Sequence, residues 1–489
     1  MGKLPENAKG SIVAIEAENK NPNTSISSIP RKMLVLGSAD STYQGAKDKI
    51  IPIGKAKQAE RFGLGSQLQQ MLKGIFDTSL NFDVYAAAVS EAEDANEAAA
   101  DITVTGTATK SGTIYVYIGG IRTATNVKTG EDASQIHTNM IKAISSVLDV
   151  PVKAADGTGK VTLTSKWKGK TANDITLSQG INEEELNAMP EGISVAFSSQ
   201  TLEEGLGDVS LEKVLSEFDS THYTSIATAF TDTENLNLLM DRAEELFSAT
   251  EKKGFYVVGG YNEKESDYVS LVENRNDKYY CAFWAEQSIT PKYMIAALAC
   301  RSIENSLAES TAVAFGGAIE GIIAGKSPYR KFEEIEDILH KGGSYSVYNA
   351  YGEVLFKDTF TTYKTAGDGS EDDAYSYLQT IGKIQLMYYE MNDVFSKAPY
   401  YKAVLVSDET TVKSEVNAIK PKTAKSTLTT LIRDWESRGL LNEATSSIEN
   451  IIAEMADKVG RLKVGFLGHL TTPLGQVDIQ FDWTLQTNS

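Results

Sequence analysis

One rhythm near the start limits what this chain can fold into. RKMLVLGSAD (31–40) is a compact apolar run bounded by charge and glycine, as a strand buried on both faces requires. SQLQQMLKGIF follows, with Leu68, Met71, Leu72 and Ile75 at helical spacing. FDVYAAAV (82–89) is a second buried strand. Strand, helix, strand predicts a parallel α/β sheet, because parallel neighbours need a crossover between them.

The rhythm then breaks. SEAEDANEAAAD (90–101) is small and acidic, and from 102 to about 200 the chain reads as β: ITVTGTAT, GTIYVYIGGIRTATNV, GKVTLTSKW, DITLSQG and GISVAFSS. One helix interrupts them, with Ile136, Met140, Ile141 and Ile144 on one side. The α/β rhythm resumes with YTSIATAF (223–230), a helix through Leu236, Leu239, Met240 and Ala243, FYVVGG (255–260), a helix near 262–275, KYYCAFWA (278–285) and a long helix from Pro291. Residues 31–93 and 205–340 are therefore expected to share one sheet, with a β-rich unit at 94–204 inserted into it. Residues 341–472 read as a mixed α+β region. Its helices include one through Leu428, Leu431, Ile432 and Trp435, and one across SSIENIIAEMADKV, where Ile448, Ile451, Ile452 and Met455 have helical spacing.

Both ends read as extended arms. Residues 1–30 carry little core material beyond Val13, Ile15 and Ala17 on one face, before a turn-rich linker ending in Pro30. Residues 473–489 contain GQVDIQFDWTLQTNS, in which Val477, Ile479, Phe481, Trp483 and Leu485 alternate strictly with polar residues. From the residues alone, 461–470 and 476–485 folding back through TTPLG as a hairpin is the simpler reading.

Charge and cysteine use narrow the function. The net charge of −19 and pI near 4.8 oppose binding to phosphate backbones or anionic membranes. Cys281 and Cys300 form neither a disulfide framework nor a zinc spacing, in keeping with folding in a reducing compartment. MGKLPENAKG has no apolar run of the signal-peptide type.

The motifs that would carry chemistry fail on spacing. GAIEGIIAGKSP (317–328) has Glu320 where a phosphate loop needs glycine, and only three residues lie between Gly321 and Gly325; it reads as a glycine-rich turn. GLGS (63–66) lacks the third glycine of a dinucleotide fingerprint. His137, His222, His340 and His469 share no ligand spacing and read as surface or helix-end residues. GDGSEDD (367–373) lacks the order of a calcium loop. No catalytic, metal or cofactor residue is expected.

Taken together, IPRKMLVLGSAD, FGLGSQLQQM, GTIYVYIGGIRTATNV, GKVTLTSKWKGKTANDITL and RLKVGFLGHLTTPLGQVDIQFDWTL resemble phage contractile tail sheath proteins, particularly the Mu-like group. The resemblance covers essentially the whole chain. It implies a structural subunit with a subtilisin-like central domain, stacked as hexameric rings around an inner tube, that contracts to drive the tube through a bacterial envelope. Implied partners are other copies of the chain, the inner tube, baseplate and tail terminator proteins, with assembly in the host cytoplasm into a virion tail or a contractile bacteriocin. A subtilisin-fold hydrolase is one alternative. Against it, ESTAVAFGGA (309–318) lacks the leading Gly-Thr of the serine motif, and no histidine is followed by glycine. An adhesion module is another.

The resemblance also implies strand exchange by the arms. Val477, Ile479, Phe481, Trp483 and Leu485 would add a strand to a neighbour, with Val464, Phe466 and Leu470 on the candidate recipient strand and Val13, Ile15 and Ala17 on the N-terminal arm. Burying five large apolar side chains gives roughly 8–15 kcal/mol. Ordering nine residues costs on the order of 9–18 kcal/mol. One joint is thus near balance before hydrogen bonds are counted. A tube-facing role for Lys425, Arg433 and Arg438 competes with an ordinary amphipathic helix.

Overall fold

The computed structural model describes residues 29–218, 221–312, 314–326, 328–456 and 460–484. Val13, Ile15, Ala17 and Leu485 lie outside the described residues.

The buried run at 31–40 forms the strand Lys32–Gly37, in the interior of a six-stranded sheet. Across the sheet the order is Tyr280–Trp284, Tyr256–Tyr261, Ser225–Thr228, Lys32–Gly37, Asp83–Ala88 and Ile51–Ile53. The first five run parallel, and Ile51–Ile53 is an antiparallel edge. Leu34 stands opposite Ile226 on one side and Tyr85 on the other. Strands from before residue 90 and after residue 224 thus share one sheet. The helix Gln67–Phe76 is capped by Ser66, whose Oγ accepts from the Gln69 N–H. It packs with Lys292–Glu309 against this sheet. The helices Thr233–Leu246 and Glu265–Val272 form the crossovers between the parallel strands Ser225–Thr228, Tyr256–Tyr261 and Tyr280–Trp284.

The β-rich stretch builds two antiparallel sheets. One has the order Ile193–Phe197, Glu97–Gly106, Val161–Lys168 and Val152–Asp156; the other Ile121–Val127, Gly112–Ile118 and Leu177–Gln179. The helix Ala133–Ser146 starts in a capping box of Asp132 and Gln135 and buries Ile136, Met140 and Ile144. The two ends of the stretch clasp each other: the Asn96 N–H donates to the Leu206 carbonyl at 3.2 Å, and the Leu206 N–H to Asn96 Oδ1 at 2.8 Å. Gly207 has φ +98°, and a Cβ there would come within 2.7 Å of the Ala95 backbone.

This stretch is fastened to the parallel sheet's helices. Lys166 Nζ donates to the Leu64 carbonyl just before the helix Gln67–Phe76, Gln70 Nε2 to the Asp149 carbonyl, and the Trp167 and Tyr293 rings meet edge-on at 5.7 Å. Lys292 bridges Asp174 of the β-rich stretch at 3.1 Å and Glu263 at 2.6 Å.

The C-terminal third departs from the sequence reading in three places. Ala318–Ile323 is a strand pairing with Glu353–Asp358, so GAIEGIIAGKSP opens as a strand and not a turn. That sheet, completed by Tyr345–Tyr348, crosses the boundary expected at 340/341. The second core begins later, midway along the helix Leu378–Ser396: Leu378 and Ile381 belong to the large core, whereas Leu386 and Met387 pack with Leu428, Leu431, Ile432, Trp435 and Leu440. Finally, the helix expected across SSIENIIAEMADKV stops early. Ala444–Glu449 is helical, and Ile452–Met455 is a strand antiparallel to Leu462–Gly465. Ile451 enters the core, but Ile452 and Met455 face solvent, so strand pairing has overridden the helical spacing.

Candidate assembly surface

The surface is built on the helix Pro421–Ser437, which carries Pro421 in its first turn, where a missing N–H costs nothing. Its buried residues Leu428, Leu431, Ile432 and Trp435 form the floor of the small C-terminal core. Trp435 stacks on Phe466 with ring centres 5.9 Å apart, and its indole N–H donates to Glu390 Oε2 at 2.6 Å. Arg438 grips the same carboxylate through both oxygens, at 2.9 and 2.6 Å, and reaches Asp434 at 2.8 Å.

Above this floor lies the two-stranded hairpin of Ile452–Met455 and Leu462–Gly465. Neither outer edge has a strand partner among the described residues. Val464 pairs with Ala453 in this hairpin, and Leu470 pairs with Leu441 in a separate short ladder. Val464, Phe466 and Leu470 all lean half-buried on the small core. The single recipient strand expected at 461–470 is therefore two short strands, with Phe466 between them.

The terminal segment leaves from this region. Residues 471–484 are in no strand, and the hairpin onto 461–470 is not formed. Val477, Ile479, Phe481 and Trp483 are 65%, 83%, 80% and 68% exposed, a contiguous apolar stripe in contact with solvent. At its base Gly475 and Gln476 line a groove of about 740 Å³ with Phe332, Phe360, Tyr363 and Tyr377.

Of the three cations expected to face a tube, Lys425 and Arg433 are exposed and make no ion pair among the described residues. Arg438 is committed to Glu390 and Asp434, because the buried Glu390 carboxylate needs a counter-charge.

His137 is buried, not superficial, and its Nε2 accepts from the Val104 N–H at 3.0 Å; burial holds its pKa below the usual value. His222 lies 2.9 Å from the Gly254 carbonyl, and His340 ends the helix Phe332–His340. Cys281 and Cys300 are free and buried, and burial pushes the Cys281 thiol up to about 12. Among the described residues, no group of three or more His, Cys, Asp or Glu is placed to hold a metal ion, and no helix is long and apolar enough to cross a membrane.

No model of a known protein family matches the chain. A curated protein does: the chain is 24% identical over 454 residues, 92% of each chain, to a Mu-like prophage FluMu tail sheath protein of Haemophilus influenzae. The chain is thus related to one Mu-like prophage tail sheath protein along most of its length. Among solved structures, it is similar to a sheath tail protein of Desulfitobacterium hafniense (11% identity, 94% of this chain and 100% of that one, TM-score 0.46). It is also similar to a sheath tail protein of Listeria innocua (12%, 90% and 95%, TM-score 0.44) and to a chain of the PVC sheath complex, an extracellular contractile injection system, in its contracted state (9%, 97% and 98%, TM-score 0.45).

Three residues that matter at this surface escaped the sequence reading. Lys383 and Glu390 occupy the buried face of the helix Leu378–Ser396, among Leu386 and Met387. Their seven-residue spacing on an apolar stripe was the available signal. Thr471, the root of the terminal segment, carried none.

Proposed function

We propose that this relative of the Mu-like sheath proteins is a non-enzymatic subunit of a contractile tail sheath. Copies polymerise as stacked hexameric rings around an inner tube, are linked through their terminal arms, and shorten to drive the tube through a bacterial envelope. Baseplate and tail terminator proteins bound the tube at its ends, and the particle is a virion tail or a related contractile injection system. Neither nucleic acid nor membrane is a direct partner of this acidic chain.

One observation carries the reading: an alternating apolar run, Val477 to Trp483, stands in solvent on a chain that also carries a two-stranded hairpin whose outer edges have no strand partner among the described residues. A monomer that stayed alone would gain nothing from such an edge and would risk aggregation. A lattice in which each stripe completes the next copy's hairpin gives it a use. Backbone hydrogen bonds then supply affinity, and the two-residue period fixes which face is buried. Lys425 and Arg433 are the candidates for meeting the tube.

Deleting residues 473–489 tests this. The expected product is a soluble, folded monomer that no longer polymerises. Normal tubes from the truncated chain, seen by electron microscopy, would refute strand exchange.

A further inference from the structure

Lys383 is among the few charged residues almost fully shielded from solvent, and it makes no ion pair among the described residues. Its ammonium donates to the Thr471 carbonyl at 2.6 Å and to Thr471 Oγ1 at 2.7 Å. Thr471 is held on its other sides too: its N–H donates to the Leu440 carbonyl at 3.1 Å and its hydroxyl to the Gly439 carbonyl at 2.7 Å. Beyond it, residues 473–483 make no backbone hydrogen bond among the described residues. Thr471 is therefore the last residue before this segment that backbone hydrogen bonds among the described residues fix to the body. A buried ammonium whose hydrogen-bond partners among the described residues are a carbonyl and a hydroxyl is costly, and burial lowers its pKa to about 8.

The same helix reaches the other arm's root. Two residues on from Lys383, Gln385 Nε2 donates to the Thr224 carbonyl at 2.7 Å and to the Gly254 carbonyl at 3.0 Å. Thr224 Oγ1 accepts from the Lys32 N–H at 3.0 Å and is bonded to the buried Glu304, which pairs with Arg31 at 3.2 Å. Ile29, where the described chain begins, packs in the small core with Leu386.

We propose that Lys383 is a positioning residue for the C-terminal arm. It pins the exit at Thr471 and, through the helix Leu378–Ser396, holds that exit at a fixed place relative to the N-terminal one. This deepens the sheath reading and rests on it. Val477 lies six positions beyond Thr471, about 20 Å of extended chain. A slip of one residue would turn Val477, Ile479, Phe481 and Trp483 to the opposite face. A fixed exit thus sets the register in which the arm meets the next copy, and it carries the pull on that arm into the parallel sheet.

The test uses the full chain with Lys383→Met, which keeps the length of the side chain and removes its donors. Thr471→Val, which removes only the hydroxyl, serves if the first variant misfolds. Circular dichroism reports the fold, amide hydrogen exchange the root, and light scattering the concentration at which tubes form. The expected result is an unchanged fold, exchange at Leu470–Thr472 faster by about tenfold, and a threshold raised by a similar factor. Unchanged exchange at these amides would overturn the pin. Faster exchange with an unchanged threshold would overturn its role in register. A wild-type chain that forms no tubes would refute the sheath reading, and the exchange result would still decide whether Lys383 holds Thr471.

Discussion

Replacing Phe481 and Trp483 together by alanine separates a joint between copies from a contact within one. In the free chain these side chains are 80% and 68% exposed, so little buried area is lost. Exposed substitutions of this kind stay within about 0.5 kcal/mol. In a joint the account is different. Fully burying a large apolar side chain contributes roughly 1.5–3 kcal/mol. With most of each surface still to be buried, the pair forfeits about 3 kcal/mol per joint on the same scale. That corresponds to a factor of about 100 in the joint's equilibrium constant. Polymerisation followed by light scattering and pelleting should show the threshold concentration rising steeply, while scanning calorimetry of the unassembled chain shows a Tm shifted by less than about 2 °C. A large fall in Tm would mean that the segment packs on its own chain. An unchanged threshold would mean that the stripe is not a joint.

Other expectations follow from particular residues. Trp167, Trp284 and Trp435 are buried and Trp483 is not, so iodide should quench a single tryptophan population in the monomer, and assembly should protect it. Glu390→Ala leaves Arg438 and the Trp435 indole without their shared carboxylate; a denaturant melt should show a loss of about 3 kcal/mol, the low end for a broken buried pair because Arg438 is partly exposed. Lys383 has a native pKa of about 8 against 10.5 for a free lysine, so between these values the unfolded chain binds more protons and stability rises with pH. The denaturant midpoint of the wild type, relative to that of Lys383→Met, should therefore increase from pH 8 to pH 10.

The parallel sheet was legible because its strands are continuous apolar runs, and a run such as KMLVLG has few other places to go. The terminal segment shows a period of two with no interruption, yet its described residues are in no strand. The hairpin was not legible. Ile448, Ile451, Ile452 and Met455 fit a helix as spacing, and only pairing with Leu462–Gly465 makes Ile452–Met455 a strand. Non-local pairing of this kind leaves no local trace. The pairing of Arg438 was hidden for a related reason, since its partner Glu390 lies 48 positions away. Lys383 was hidden by its type, because lysine is read as surface and its partner here is a backbone carbonyl and a hydroxyl.

The most direct test of the central claim is a helical reconstruction of tubes assembled from the full chain by electron cryomicroscopy. The account predicts density for Val477–Trp483 as a strand against the Ile452–Met455 and Leu462–Gly465 hairpin of a neighbouring copy. The same segment paired within its own chain, or left unpaired in the tube, would contradict it.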